Sequence, residues 1–236
     1  VTATGALTQS GALTQGAAAG AATFTAGANA ITLPNAGNDF TGAVSLNNSG
    51  TNDVAVTDAN ALILDTSAVG SGTLTVTATG ANSITGGTGA DTIYGGAGND
   101  VIDGGDLGDL IFGEDGADQL TGGTGADFLF GDFGNTVGTA TASSTTGLAD
   151  VINGNAGNDV IFGGVGADEI DGGADNDVIF GDFGSVTVTA GAVVLAATTS
   201  FTDGDNDTIV AGDGNDLVFG GTGTDSIHGD GGNDYI

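Results

Sequence analysis

From Gly80 to the C-terminus, hydrophobic and polar positions repeat with a period of nine residues. Each nonapeptide divides into a six-residue turn and a three-residue strand, and the middle of that strand is always aliphatic. Because this middle side chain points opposite to its two neighbours, the column predicts the interior of a stacked β-structure. The column contains Ile84, Ile93, Ile102, Ile111, Leu120, Leu129, Ile152, Ile161, Ile170, Ile179, Ile209, Val218, Ile227 and Ile236.

The residues on either side of this column face outward, and their character alternates from one nonapeptide to the next. One predicted sheet carries apolar pairs that end in an aromatic ring, such as Leu110 with Phe112. The other carries mostly polar pairs, such as Glu169 with Asp171. The aromatic rings are predicted to form one column on the first sheet: Tyr94, Phe112, Phe130, Phe162, Phe180 and Phe219.

This apolar face is expected to be covered, because large apolar patches are rarely left in water. Two insertions interrupt the nonapeptides, Thr136–Ala149 and Val186–Thr202, and each follows the phrase Phe-Gly-Asp-Phe-Gly. The second contains runs of β character that predict a hairpin, so we expect the insertions to fold over the aromatic column. Self-association, or contact with an adjoining domain, through this column is the alternative, and ligand binding is the third.

Residues 1–80 lack the nine-residue period but also predict short strands separated by Asn- and Gly-containing turns. Equivalent strands recur at similar intervals, as from Phe24 to Val44 and from Val56 to Val76. This spacing predicts solenoid coils of about 20 residues each, within the range of known repeat architectures. The predicted strands are Ala22–Ala26, Ala30–Leu33, Ala43–Leu46, Asp53–Thr57, Ala61–Asp65 and Thr73–Ala78.

The charge of the chain has a single sign, with 30 acidic residues, no Lys or Arg and a formal net charge of −30. A chain charged in this way repels itself unless cations neutralise it. Disorder is disfavoured, because the 39% of hydrophobic residues recur at fixed spacing. Without basic residues, nucleic acid and anionic membranes are poor partners, and no apolar stretch reaches the ~18–20 residues of a membrane span. The absence of Cys excludes disulfides and thiolate metal sites.

The nonapeptide reads G-G-x-G-x-D-x-U-x, where U is aliphatic, for example in Gly86–Tyr94 and Gly95–Asp103. Over residues 81–236 the chain resembles the RTX, or hemolysin-type, calcium-binding repeat family. The resemblance implies an all-β fold, a right-handed parallel β-solenoid whose C-terminal two-thirds is a calcium-binding β-roll with two nonapeptides, about 18 residues, per turn. Residues 1–80 resemble a filamentous-haemagglutinin-type adhesin repeat, through Ile31–Gly50 and Leu74–Gly80. We therefore expect adhesin-like coils in 1–80 and an RTX roll with two insertions in 81–236.

Position six of the nonapeptides is a column of aspartates. Calcium takes six to eight oxygen ligands from carboxylates and carbonyls, and glycines let a turn point its carbonyls inward. The RTX resemblance implies that each ion lies between same-side turns of successive coils, which divides the aspartates between two corners. The first corner contains Asp91, Asp109, Asp127, Asp159, Asp177, Asp216 and Asp234. The second corner contains Asp100, Asp118, Asp150, Asp168, Asp207 and Asp225.

At most eleven calcium ions fit between successive aspartates, and their charge of +22 would reduce the net charge from −30 to −8. The insertions before Asp150 and Asp207 both fall on the second corner, whose sites are therefore the less secure ones. Departures from the glycine pattern are also expected to weaken particular sites. They are Leu107 and Asp175 late in their turns, and Glu114, Asp132, Asn155, Asp182 and Asp230 at position two.

The leading hypothesis for function is a calcium-dependent structural segment of a large secreted bacterial adhesin, surface-layer or extracellular matrix or fibre protein. The alternative is a calcium-dependent secretion and folding module of an RTX enzyme or toxin. We expect no catalysis in the segment itself, because the single histidine, His228, is predicted on the outer polar sheet. A β-helix enzyme within residues 1–80 is disfavoured, since that region has no His, Lys, Arg or acid cluster. The expected location is secreted, extracellular or at the cell surface.

Overall fold

The computed structural model describes residues 1–16, 20–60, 62–64, 68–69, 72–78, 80–135, 140–142, 147–189, 192–198 and 205–236. In these ranges all regular structure is β-strand, and the strands stack as the parallel β-solenoid that the sequence predicts. The same ranges contain no helix of the length and apolar character that a membrane crossing requires.

One face of the solenoid is a parallel sheet that extends through both parts of the sequence. It runs from the N-terminal coils into the nonapeptide coils without a break, because the strand at Ser83–Gly87 pairs with Val101–Asp106 on one side and Ala68–Val69 on the other. Its ten strands, in spatial order, are Ala22–Gly27, Val44–Asn48, Ala68–Val69, Ser83–Gly87, Val101–Asp106, Gln119–Thr124, Val151–Ala156, Glu169–Asp171, Thr208–Val210 and Ser226–His228.

The opposite face consists of two parallel sheets in line, joined by a bridge between Ala78 and Gly96. The N-terminal sheet contains Leu7–Thr8, Ile31–Leu33, Val54–Thr57 and Leu74–Thr77. The second sheet contains Thr92–Ala97, Leu110–Asp115, Phe128–Phe130, Val160–Phe162, Val178–Phe180 and Leu217–Phe219. A short parallel pair, Asp213–Gly214 with Gly231–Gly232, lies at a turn.

The register of the strands gives the length of each coil. Ile102 lies opposite Ile84 and Leu120, so each coil of this part contains two nonapeptides, as predicted. Val56 lies opposite Val76, which agrees with the predicted spacing in the N-terminal part. Phe24, however, lies opposite Leu46 rather than Val44. The coil from Phe24 to Leu46 is therefore two residues longer than predicted. The extra residues lie in its turns, so the strands still pair side by side.

The aliphatic column forms the interior of the solenoid, as predicted. From Ile84 to Val218 its members are at most 2% exposed, and they form one core with N-terminal residues such as Leu46 and Leu74. The last two members differ, since Ile227 is half-buried and Ile236 is 63% exposed. Small aliphatic residues from both faces thus fill a thin interior along the whole described length.

The two insertions build one antiparallel sheet together. The strand at Ala140–Ala142 in the first insertion pairs with Gly134–Asn135 and with Gly184–Thr189, and the last of these pairs with Ala192–Thr198. This arrangement joins segments that lie far apart in the sequence. The residues of both insertions outside the described ranges are 136–139, 143–146, 190–191 and 199–202.

The aromatic column is stacked and covered. Successive rings from Tyr94 to Phe219 lie 4.8–5.0 Å apart between centroids and are nearly parallel. Phe183, just before the second insertion, and Val186 within it are buried in the same apolar cluster, and Ala196 of the insertion packs against it. The prediction that the insertions cover this face is confirmed for the second insertion, so the central rings of the column are buried within the chain itself.

Candidate metal sites

The position-six aspartates form two ladders of hydrogen bonds, one at each predicted corner. The backbone N–H of each aspartate donates to Oδ1 of the equivalent aspartate in the next coil, as from Asp91 to Asp109 at 2.8 Å and from Asp100 to Asp118 at 2.8 Å. The other nine steps have distances of 2.7–3.2 Å. Except in Asp91, which begins the first ladder and has both oxygens without a hydrogen bond, one oxygen of each carboxylate is thereby fixed by the backbone of its neighbour.

The second oxygen of these carboxylates is buried without a hydrogen-bond donor. All the position-six aspartates from Asp91 to Asp216 are at most 2% exposed, and no donor of the described residues reaches their Oδ2 atoms. Asp225 and Asp234, in the last coils, are half-buried. Burying a charged oxygen without a partner is costly, so a column of such atoms indicates a ligand that the protein does not supply.

The position-one glycines show what surrounds these free oxygens. A Cβ atom built on Gly95 would lie 2.5 Å from Oδ2 of Asp100 and 2.6 Å from the carbonyl oxygen of Gly113 in the next coil. The equivalent point at Gly104 is bounded by Oδ2 of Asp109 and the carbonyl of Gly122. A carboxylate and a backbone carbonyl therefore face the same small space, which only glycine leaves open. Oxygen ligands of this kind suit calcium.

Asn82 shows how the same position behaves without a charge. It stands two nonapeptides before Asp100 in the second corner, and its backbone N–H donates to Oδ1 of Asp100 at 2.7 Å. Its Nδ2 donates to the carbonyl of Gly95 at 3.0 Å, and its Oδ1 accepts from the N–H of Leu62 at 2.8 Å. Where aspartate replaces asparagine, two oxygens face each other instead, and they need a cation or a proton between them.

The electrostatics of the two ladders favour binding of a cation. Burial, together with the nearby charges of Asp168, Asp118 and Asp132, raises the pKa of Asp150 to about 9. Burial likewise raises the pKa of Asp177 to about 8 and that of Asp109 to about 7. A divalent cation between the coils would reverse this effect, because it favours the ionised carboxylate.

In the described residues, no three His, Cys, Asp or Glu side chains converge on one point. A cation at these corners must therefore take most of its ligands from backbone carbonyls, with the aspartates supplying the charge. The carbonyl of Gly113, which faces the same space as Oδ2 of Asp100, would be one such ligand.

Comparison with protein families agrees with this geometry. The model of the RTX calcium-binding nonapeptide repeat (4 copies) matches residues 76–111, 103–137, 144–179, 171–192 and 201–236, which together exceed half of the chain. The chain belongs to the RTX calcium-binding nonapeptide repeat family. Residues 1–47 match a second model, DUF5649, repeats of unknown function. No curated protein matches the chain.

RTX nonapeptide repeats bind calcium, and proteins that carry them are typically secreted. The chain is therefore a calcium-binding structural module of extracellular type. The residues of its roll that fit the ion are the aspartates of the two ladders, together with the position-one carbonyls.

Most residues that replace a glycine of the RTX pattern keep the left-handed backbone conformation of the turn. Leu107 and Asp175 adopt φ angles of 73° and 82°, and Glu114, Asn155 and Asp230 at position two lie between 59° and 75°. These side chains thus accept a left-handed backbone that glycine would adopt without strain. Asp132 and Asp182 do not share this conformation, which separates them from the other position-two residues.

The second corner of the RTX roll is continuous across both insertions. The N–H of Asp118 donates to Oδ1 of Asp150 at 2.7 Å, and that of Asp168 donates to Oδ1 of Asp207 at 2.9 Å. The insertions therefore leave the ladder geometry intact at the corner where the sequence predicted the less secure sites. His228 is exposed on the outer polar sheet, as predicted.

Three buried residues of the corners lie outside the predicted metal set. Asn38 and Asp58 extend the second corner into the N-terminal coils, since Oδ1 of Asn38 accepts from the N–H of Leu13 and Oδ1 of Asp58 accepts from the N–H of Phe40. Asn82 joins them to the roll. Counting two nonapeptides back from Asp100 identifies Asn82 in the sequence, but the longer N-terminal coils hide the other two.

Proposed function

We propose that this RTX chain is a calcium-dependent structural segment of a large secreted adhesin, surface-layer or matrix protein, which folds when it meets calcium outside the cell. The observation that carries the proposal is the contrast between Asn82, whose amide bonds the carbonyl of Gly95, and Asp100, whose free oxygen faces the carbonyl of Gly113. Without a cation, each coil of the roll adds a further pair of facing oxygens.

The uninterrupted sheet supports a structural role over that of a separate secretion module. It continues from Ala22–Gly27 to Ser226–His228, so the N-terminal coils and the RTX roll share one set of backbone hydrogen bonds. A rod of this kind transmits force along its length, which an adhesin or fibre requires. The resemblance of residues 1–80 to adhesin repeats supports the same proposal.

We assign no catalytic role to the segment. A cavity of about 410 Å³ at the N-terminal end is lined by Leu7, Leu13, Phe24 and Leu33 with small polar residues, none of them acidic or histidine. The eleven ladder steps support up to eleven calcium ions in the roll, six at the first corner and five at the second.

Calcium titration tests the proposal. In excess chelator we expect residues 81–236 to give a coil-like far-UV circular dichroism spectrum, because facing carboxylates and chain entropy outweigh the thin interior. Adding calcium in the millimolar range should convert it to a β spectrum, whereas magnesium, which demands a smaller octahedral site, should do so poorly. A fully folded spectrum in chelator would contradict calcium-dependent folding.

The domains that adjoin this segment in the full-length protein would distinguish the structural role from the secretion role. Further solenoid coils beside this segment would support the structural role, whereas a catalytic domain beside the repeats would support a folding and secretion module of an RTX enzyme or toxin.

A further inference from the structure

The pentapeptide Phe-Gly-Asp-Phe-Gly occurs at Phe130–Gly134 and Phe180–Gly184, at the two points where an insertion leaves the coil. Its aspartates, Asp132 and Asp182, stand at position two of their repeats and are only 1% and 2% exposed. Neither has the left-handed backbone of the other non-glycine residues at this position. They are therefore not replacements for a turn glycine, and their burial needs another explanation.

One oxygen of each carboxylate replaces a backbone acceptor. In an uninterrupted coil, the position-three N–H donates to the position-two carbonyl of the preceding coil, as from Ala174 to Asn155 at 2.7 Å. At the first insertion the N–H of Val165 donates instead to Oδ2 of Asp132 at 2.7 Å. At the second, the N–H of Thr222 donates to Oδ2 of Asp182 at 2.5 Å. An asparagine oxygen could accept the same bond, so this role does not require a charge.

The other oxygen of each carboxylate, Oδ1, is buried and receives no hydrogen bond from the residues that the structure describes. Beside Asp132, a Cβ built on Gly147 would meet both carboxylate oxygens and the carbonyl oxygen of Val165. At Asp182, the backbone N–H of Asp205, where the second insertion returns, donates a hydrogen bond to the carboxylate in addition to that from Thr222. The free oxygen of Asp132 thus faces a small space, shared with the carbonyl of Val165, at the place where the first insertion re-enters the roll.

The surroundings of these two carboxylates are negative. Asp132 lies close enough to Asp118 and Asp168 for their charges to interact, and Asp182 interacts in the same way with Asp225. An uncompensated charge buried among others of the same sign is strongly unfavourable. A set of carboxylate and carbonyl oxygens is, however, what a hard divalent cation prefers.

We propose that Asp132 and Asp182 are additional calcium ligands of the second corner, one at the root of each insertion. This inference rests on the proposed calcium-dependent function, and it adds two ligands that the nonapeptide pattern does not contain.

The same pentapeptide connects these ligands to the cover of the aromatic column. Gly134 and Gly184 lie so close to the rings of Phe130 and Phe180 that a Cβ on either glycine would overlap the ring. A calcium ion at the aspartate therefore fixes the exit of the insertion next to the column that its strands cover. Calcium binding at the second corner and docking of the insertions are therefore coupled.

The test compares Asp132→Asn and Asp182→Asn with Asp171→Asn, which removes the same charge from an exposed position. Asparagine keeps an oxygen for the N–H of Val165 or Thr222, so the fold in saturating calcium should be unchanged by circular dichroism. Equilibrium dialysis and titration calorimetry with calcium alone give the number of bound ions and their affinities. Loss of one charged ligand should weaken one ion by roughly tenfold to a hundredfold in each variant, or remove it from the count.

Binding by Asp132→Asn and Asp182→Asn that is indistinguishable from that of Asp171→Asn would overturn the inference and leave the two aspartates as hydrogen-bond acceptors only. Failure of the unmodified chain to bind calcium would instead overturn the proposed function. Hydrogen exchange in Gly184–Thr189 at limiting calcium gives a second readout. Faster exchange there in Asp182→Asn, but not in the distant strand Thr92–Ala97, is the expected result, and equal exchange in variant and control would refute the coupling to docking.

Discussion

Asp109→Asn should change the stability of the roll in opposite directions with and without calcium. Asp109 lies in the first corner, away from both insertions, and is 2% exposed. Its Oδ1 accepts from the N–H of Asp91 at 2.8 Å, and its Oδ2 shares a space with the carbonyl of Gly122. Asn82 already shows the expected result of the substitution, because its Nδ2 bonds the equivalent carbonyl of Gly95.

The change in folding free energy without calcium follows from the raised pKa of the Asp109 carboxyl group. Burial raises the pKa of Asp109 from 3.8 to about 7. A difference of about 3 pKa units corresponds to about 4 kcal/mol against folding once the group is ionised in both states. At pH 8, asparagine removes that cost and adds a hydrogen bond, so the metal-free roll should gain up to about 4 kcal/mol.

With calcium bound, the sign of the effect reverses. The ions on either side of Asp109 lose a charged ligand, and the loss of one charge-assisted contact costs about 1.5–3 kcal/mol. The melting temperature in saturating calcium should therefore fall, while that in chelator should rise. An excluded osmolyte, which favours compact states, brings the metal-free chain into a measurable range.

The assay is thermal unfolding by circular dichroism at pH 8, in chelator with osmolyte and in saturating calcium. Asp171→Asn is the control, and as an exposed substitution it should shift stability by no more than about 0.5 kcal/mol in either condition. A lower melting temperature for Asp109→Asn in both conditions would refute the reasoning, because it would mean that the charge of Asp109 stabilises the roll without a cation.

Two further outcomes are expected. Because burial raises the pKa values of Asp91, Asp159 and Asp207 from 3.8 to about 6, 7 and 8, the metal-free fold keeps protons that the unfolded chain loses. Its stability is greatest near pH 4 and falls as the pH rises toward 8, so circular dichroism in chelator should show more β-structure at pH 5 than at pH 8, and equal signals would contradict this. Val186→Asp places a charge at a fully buried position against the aromatic column. It should undock the insertion sheet and increase light scattering in calcium, unlike the more exposed Val193→Asp, and a monodisperse variant would contradict it.

The repeating features of this protein were determined by the sequence alone. The aliphatic column around Ile111, the separation of the two sheets and the assignment of aspartates to two corners all follow from one fixed period. In a solenoid each coil contacts only its neighbours, so equal spacing in the sequence becomes equal position in space. The same counting identifies Asn82 as a corner residue, since it stands two nonapeptides before Asp100.

Features that break the period were decided by the tertiary structure. The pairing of Ala140–Ala142 with Gly184–Thr189 joins two insertions whose sequences show no common spacing. The position of Leu46, rather than Val44, beside Phe24 depends on how many residues a turn absorbs. Neither result can be read from hydrophobic alternation, which fixes which face a residue occupies but not its partner on the next strand.

The roles of individual oxygen atoms also required the tertiary structure. The sequence groups Asp132 and Asp182 with Glu114 as departures at position two, yet the first two are buried beside an insertion and the third maintains a left-handed turn. Likewise, the sequence identifies Asp109 as an aspartate of a corner, but only the stacked coils show that one oxygen is bonded to Asp91 and the other is free. Residue type sets the number of acceptors, whereas the distance between adjacent coils decides which of them find a donor within the protein.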